Sequence, residues 1–277
     1  MKALHYFKLI RLHNIFIACL CVLLCAYLID DYDWKNISLC MLLIIFSMSF
    51  ANSMNDILDL NSDKINHPKR VLNQNLISIK KAKSISYFSL FFCIFLSFFL
   101  SNLYLKIFFY IIFFFLNSYY FFLKRIALIG NIVIGLLLSS VFIFTELVLA
   151  NQLKILIIPS FLTFGLSFIR ESIKDLHDYP GDKLSGMKTL PIIFGVKFSC
   201  FFISIVIFLS GIFFLYPYYN GIYGLKYFNS LLLFIEIPLL YSLFFLLNFQ
   251  TIKTFKHLTN LYKILSFLGL FVIFLTK

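Results

Sequence analysis

Apolar runs of about 20 residues, the length an α-helix needs to cross the hydrocarbon core of a bilayer, recur along the whole chain with no Pro-, Gly- or Ser-rich linker between them. This pattern predicts nine spans, at 12–29, 37–55, 84–103, 106–123, 127–149, 154–173, 196–216, 228–248 and 259–276. The third and fourth lie close together, separated only by "SNLYLK". The start, "MKALHYFKLIRLHNIFIACLCVLLCAYL", has a basic flank and an apolar run, but no small-x-small cleavage site follows and many spans come after it. It is expected to be the first membrane helix rather than a removed leader.

Composition agrees with the pattern. The 277 residues are 61% hydrophobic and only 13% charged, with a mean hydropathy of +0.95, too little polar surface to cover a water-soluble globule. The expected fold class is all-α, a polytopic membrane protein, with residues 1–277 forming a single integral domain. The six cysteines all fall in apolar stretches without metal-ligand spacing, so they are expected to be small core residues.

Charge orients the spans. With a cytoplasmic N-terminus, only Lys35, Lys106, Lys154, Lys226 and Lys277 of the 24 basic residues fall outside, as the retention of positive residues on the cytoplasmic side requires. A basic face beside anionic lipid also accounts for the net charge of +12 without nucleic acid.

The acids depart from this background. Seven of the 12 gather in two patches, Asp56, Asp59 and Asp63 at the cytoplasmic end of the second span, and Glu171, Asp175, Asp178 and Asp182 at that of the sixth. In each patch three aspartates stand at i, i+3 and i+7, which places them on one helical face. Each aspartate of the second set follows its counterpart by 119 positions, as two copies of a four-helix unit would produce. Solvated helix ends are the bland explanation for one such patch. Two with the same spacing are harder to explain that way, because a carboxylate at membrane depth costs roughly 2.5 to 3.5 kcal/mol and like charges one turn apart repel.

A bound cation removes that conflict. Mg²⁺ is held by a few carboxylates plus substrate phosphates, and Lys64, Lys69, Arg70, Lys124, Arg170, Lys174 and Lys183 lie near enough in sequence to contact phosphate oxygens. Arg70 and Lys124 stand closest to other polar features, whereas Lys80, Lys81 and Lys83 read as membrane-face anchors. A Mg²⁺-bound head attached to something that enters an aromatic-rich membrane protein suggests an isoprenyl diphosphate. Mg²⁺ stabilises a leaving diphosphate, and aromatic faces stabilise an allylic cation while excluding water.

The same residues resemble a known family. "NDILDLNSD" is similar to the N-D-x-x-D-x-x-x-D motif, and "RESIKDLHDYPGDKLSGMKTLP" to the second aspartate motif, of the UbiA-type intramembrane prenyltransferases. "LIRLHN", with Arg11-Leu12-His13-Asn14 where the family has Arg-Pro-x-Asn, and "YYFFLKRIALIGNIVIG" carry further likeness. The second motif and the Leu-Lys-Arg…Gly-Asn segment look most like the digeranylgeranylglyceryl phosphate synthase branch.

The resemblance implies nine membrane helices around a central cavity, with Mg²⁺ as cofactor bridging the aspartate motifs and the diphosphate. By residue-wise transfer it implies metal ligation by Asp56, Asp59, Asp63, Asp175, Asp178 and Asp182, with Asp56, Asp59, Asp175 and Asp178 carrying the reaction. Asn55 would join the first site, Arg70, Lys124 and Lys183 would bind phosphate, and Asn14 would line the cavity. The implied partners are a polyprenyl diphosphate donor, geranylgeranyl by this branch, and a lipid acceptor, geranylgeranylglyceryl phosphate. The expected location is the cell's inner membrane, with the N-terminus and both motifs cytoplasmic.

One departure bears on substrate choice. After Arg70 relatives continue Pro-Ser-Gly, whereas this chain has "VLNQNLIS". Prenylation of an aromatic quinone precursor (4-hydroxybenzoate, dihydroxynaphthoate or homogentisate) is the alternative within the enzyme reading. A cation-coupled transporter is the alternative outside it, although a transporter places acids near the bilayer centre on broken helices. No general base stands out, since His13, His67 and His177 each read equally well as packing or surface residues.

Overall fold

The computed structural model describes residues 2–277, and among them the fold is all-helical, with one isolated parallel bridge between Ile126 and Lys188. The helices are α1 (Lys2–Leu9), α2 (Leu12–Ile29), α3 (Trp34–Leu58), α4 (Leu60–Asn66), α5 (Ile79–Ser97), α6 (Leu103–Phe121), α7 (Ile129–Ala150), α8 (Ile157–Leu184), α9 (Leu190–Phe194), α10 (Val196–Tyr219), α11 (Leu225–Leu231), α12 (Ile237–Asn248) and α13 (Ile252–Phe274). A π-helical turn, Leu232–Glu236, joins α11 to α12.

Each of the nine predicted segments overlaps helix, although 84–103 runs past the end of α5 into the turn at 98–102. By length and apolarity seven helical segments among the described residues qualify as membrane spans, with the stretch Leu225–Asn248 taken as one. The segments not among the seven are α5 and α8. The first turn of α5 carries Lys80 and Lys81, and the apolar half of α8 is followed at once by Arg170, Glu171 and Lys174. Large side chains such as Phe91, Phe98 and Phe99 are exposed, the arrangement expected where lipid rather than water is the solvent.

The chain divides into two compact units, residues 2–123 with 140–156, and residues 124–139 with 157–277. In the first unit α3 packs on α2, α5 and α6. Its interior is a cluster built around Val22, Ala26, Cys40, Leu43, Cys93, Leu105 and Phe109, where small and medium side chains let the helices approach closely. Isolated Glu146 belongs here and is structural. Its carboxylate accepts from the backbone N–H groups of Lys154, Ile155 and Leu156 at 2.8–2.9 Å, satisfying donors of the following turn that would otherwise be orphaned.

A satellite cluster in the same unit gathers Leu9, Val71, Leu72, Ile77 and Ala82. It anchors the end of α1 and the turn-rich loop after α4, so the residues beside those anchors, Arg11 and Arg70, are held by packing rather than left on loose chain. In the second unit α8 packs on α10 and α13, and α10 on α12. All six cysteines are free thiols, five of them buried, as expected for core residues.

Candidate active site

The first aspartate motif straddles a helix junction. α3 ends at Leu58, Asp59 adopts φ −91°, ψ 9°, and α4 begins at Leu60. The backbone ladder nevertheless continues, Asp59 N–H donating to Asn55 O and Asp63 N–H to Asp59 O at 2.9 and 2.8 Å. Side chains one and two turns apart therefore stay on a common side across the kink. Asp56 and Asp63 are buried and Asp59 is half-buried.

Two arginines meet these carboxylates. Arg11 Nη2 donates to Asp56 Oδ1 at 2.7 Å, and Arg70 Nη1 lies 3.2 Å from the same oxygen. Arg70 Nη1 also donates to Asp63 Oδ2. Asp56 and Asp63 thus converge on a single cationic nitrogen. Burial pushes the Asp63 carboxyl up to about 6 although the Arg70 guanidinium pulls it down, so near neutral pH it remains available as an anion.

The acidic residues of the second motif all lie within α8, which stays helical through Pro180. Asp175 Oδ2 accepts from Asn131 Nδ2 at 2.9 Å, and His177 Nδ1 lies 2.8 Å from Asp178 Oδ1. Asp178 and Asp182 are buried. Glu171 is engaged by its own helix, with Lys174 Nζ 3.2 Å from Oε2 and Arg170 Nη1 3.5 Å from Oε1.

The remaining residues expected from sequence are placed as follows. Asn14 is half-buried in the first turn of α2 and Asn55 half-buried in the last turn of α3. Lys124 is half-buried in the short 3₁₀ turn Leu123–Arg125. Lys183 is exposed at the end of α8, its ammonium 5.8 Å from the centre of the Tyr179 ring, within cation–π range. The structure brings Asp56, Asp63 and Arg70 into one contact group and gives Asp175 and Asp178 partners of their own.

Sequence reasoning missed Arg11, Asn131 and the contact of His177. Arg11 and Asn131 both lie in stretches singled out for their family likeness, "LIRLHN" and the Gly-Asn segment, and that likeness was the signal pointing to them.

Among the described residues, no three or more His, Cys, Asp or Glu side chains are already drawn together as a metal centre. The donor set of the first face suits a hard divalent cation all the same, because Asp56 and Asp63 offer carboxylate oxygens that already converge on one positive group, the Arg70 guanidinium.

The profile of the UbiA prenyltransferase family matches residues 15–264. The chain belongs to this family. It is 32% identical over 274 residues to digeranylgeranylglyceryl phosphate synthase of Methanococcus vannielii, an alignment covering 95% of this chain and 97% of that protein. A solved structure concerned with digeranylgeranylglyceryl phosphate synthase in membranes superposes with a TM-score of 0.74 at 30% identity, covering 99% of this chain and 98% of that one. A UbiA homolog from Archaeoglobus fulgidus bound to GPP and Mg²⁺ shares the fold, with a TM-score of 0.65 at 16% identity over 97% and 99% of the two chains. The all-α membrane fold and the prenyltransferase family expected from sequence both stand.

Proposed function

We propose that this UbiA-family protein transfers a geranylgeranyl group from its diphosphate to the free hydroxyl of geranylgeranylglyceryl phosphate. The observation that carries this reading is the 32% identity to a digeranylgeranylglyceryl phosphate synthase over 95% of the chain. In the reaction the bond from prenyl C1 to the diphosphate oxygen breaks, the acceptor oxygen forms the new C–O bond, and diphosphate and a proton leave. The whole chain serves as one prenyltransferase domain, since the family match crosses both compact units.

Asp56, Asp59 and Asp63, and likewise Asp175, Asp178 and Asp182, would hold magnesium. When bound, the metal neutralises the charge that develops on the departing diphosphate. The chain's own groups do the rest. Arg70, Lys124 and Lys183 bind phosphate oxygens, the arginine through two N–H donors at once. Asn131 orients Asp175 by its 2.9 Å hydrogen bond, the outer support that keeps a ligand carboxylate in place. Asn14 and Asn55 orient the donor beside the carboxylates. The apolar helices keep water from the allylic cation, which would otherwise be hydrolysed. Both motifs act at the cytoplasmic face of the cell membrane, following the Lys/Arg asymmetry.

The test supplies the protein in membranes with Mg²⁺, labelled geranylgeranyl diphosphate and, in separate reactions, geranylgeranylglyceryl phosphate, 4-hydroxybenzoate, dihydroxynaphthoate and homogentisate. Labelled ether lipid that disappears with Asp59→Asn is the expected result. Aromatic product in place of ether lipid would move the protein to quinone-precursor prenylation.

A further inference from the structure

Asp56 is contacted on one oxygen by two guanidinium groups, and only one of them is needed to neutralise it. Arg70 already bridges Asp56 and Asp63, yet Arg11 makes the shorter contact to Asp56, 2.7 Å against 3.2 Å. Arg11 is not a cytoplasmic-face anchor with its head in water. Its side chain is only 26% exposed, and α1 brings it inward because the neighbouring Leu9 is fully buried in the satellite cluster. Its backbone is held at φ 56°, ψ 56° between α1 and α2, a left-handed conformation unfavourable for a non-glycine residue. Strain of this kind persists where surrounding packing imposes it, and it gathers at ligand clamps.

Charge conservation then sets the next step. Arg11 and Arg70 balance Asp56 and Asp63 in the structure as it stands. A divalent cation that takes the Asp56 carboxylate deprives the half-buried Arg11 of its 2.7 Å partner, and a guanidinium cannot shed its proton. An uncompensated buried charge is strongly unfavourable. A second anion arriving with the metal restores the pairing, and a diphosphate brings phosphate oxygens suited to a guanidinium fork.

We propose that Arg11 is a diphosphate-binding residue parked on Asp56: it neutralises that carboxylate while no metal is bound and passes to a phosphate oxygen of the donor when a divalent cation takes Asp56. The inference rests on the diphosphate reading above. It makes metal and diphosphate binding interdependent, because Arg11 competes with the metal alone and assists the metal–diphosphate pair.

The experiment uses the full chain in detergent or nanodiscs. Mn²⁺ binding without any phosphate is read by loss of the free-ion electron paramagnetic resonance signal. Inorganic pyrophosphate binding in saturating Mn²⁺ is read by calorimetry. Arg11→Gln is expected to bind Mn²⁺ alone several-fold more tightly and pyrophosphate about tenfold more weakly, the loss of one charge-assisted hydrogen bond. Arg11→Lys is expected to shift both in the same directions by less, and it carries the comparison if a thermal-unfolding scan shows Arg11→Gln unfolded. Mn²⁺ affinity that is unchanged or lower in a folded variant, or pyrophosphate affinity that is unchanged, would overturn the proposal and leave Arg11–Asp56 a structural ion pair. Wild-type protein that binds neither Mn²⁺ nor pyrophosphate would overturn the proposed function itself, and this inference with it.

Discussion

The two aspartate motifs share a spacing and differ in how the protein holds them. The first lies across the α3–α4 junction and its carboxylates are gripped by arginines, Arg11 on Asp56 and Arg70 on Asp56 and Asp63. The second lies on the unbroken helix α8 and takes an amide from Asn131 on Asp175 and the ring of His177 beside Asp178. Guanidinium groups contact the first set directly, whereas in the second set Asp175 takes a neutral amide donor with the Lys174 charge acting on it, and an imidazole stands beside Asp178. Equal spacing in sequence thus conceals unequal electrostatics. On the proposed function, the first face would exchange its guanidinium contacts for a metal, and Asn131 would keep Asp175 of the second face aimed.

The largest expected effect tests whether the first face is essential. Asp56→Asn removes a charge proposed to hold metal and leaves Arg11 without its charged partner and Arg70 with Asp63 alone, so both activity and fold should suffer. Transfer is expected to fall at least about 100-fold, in line with several kcal/mol of charge stabilisation at a metal site. The thermal transition should fall as well, since breaking a buried pair leaves an uncompensated charge. Transfer within a few-fold of wild type, measured with labelled donor, would remove the first face from the site.

Asn131→Leu asks the corresponding question of the second face. Losing the hydrogen bond to Asp175 should raise the Mg²⁺ concentration for half-maximal rate by about 10- to 100-fold, the usual consequence of removing a ligand's outer support. The rate at saturating Mg²⁺ should change less. An unchanged Mg²⁺ titration would mean that Asp175 needs no help from Asn131.

Acid should act on the first face through Asp63. Its carboxyl is held up to about 6, above the ordinary range near 3.9, so between about pH 4 and 6 the folded chain binds more protons than the unfolded one. The contribution of this group to stability is therefore present below pH 4 and lost as pH rises through about 6. Metal binding runs the other way, because a ligand carboxylate must be ionised. Apparent Mn²⁺ affinity is expected to drop about tenfold per pH unit below 6, with that step absent in Asp63→Asn. A flat profile between pH 5 and 7 in the wild type would show that Asp63 is not a ligand.

Much of the fold and of the site is legible in the sequence. The 20-residue apolar runs locate each long helix because bilayer thickness dictates their length, and the scarcity of acids elsewhere makes the two patches conspicuous. The partners are less visible. Nothing in the spacing of Arg11 and Asp56 tells that Leu9 packs with Val71 and Leu72 and so brings both arginines to the carboxylates. Lys183 reads as a phosphate ligand from its place in the motif, but that reading does not include the Tyr179 ring its ammonium lies over. Helix continuity is also misleading, since the kink falls in "DILDLNSD", which has neither proline nor glycine, while α8 runs on through Pro180. Local propensity alone does not decide where these helices are interrupted.

That last contrast gives the smallest expected effect. Proline inside a helix removes one backbone donor and crowds the carbonyl four residues earlier, here that of Leu176. Were Pro180 needed to shape the second face, Pro180→Ala would move Asp178 and Asp182, which flank it, and weaken Mg²⁺ binding markedly. The continuous α8 argues otherwise, because the carboxylates already stand at regular helical spacing with the proline in place. Pro180→Ala is therefore expected to leave the half-saturating Mg²⁺ concentration within about twofold and to raise the thermal transition slightly, as a helix former replaces a breaker. A change of tenfold or more in the Mg²⁺ requirement would show that the second face depends on a local distortion as the first does, and the contrast between the two motifs would then be one of partners alone.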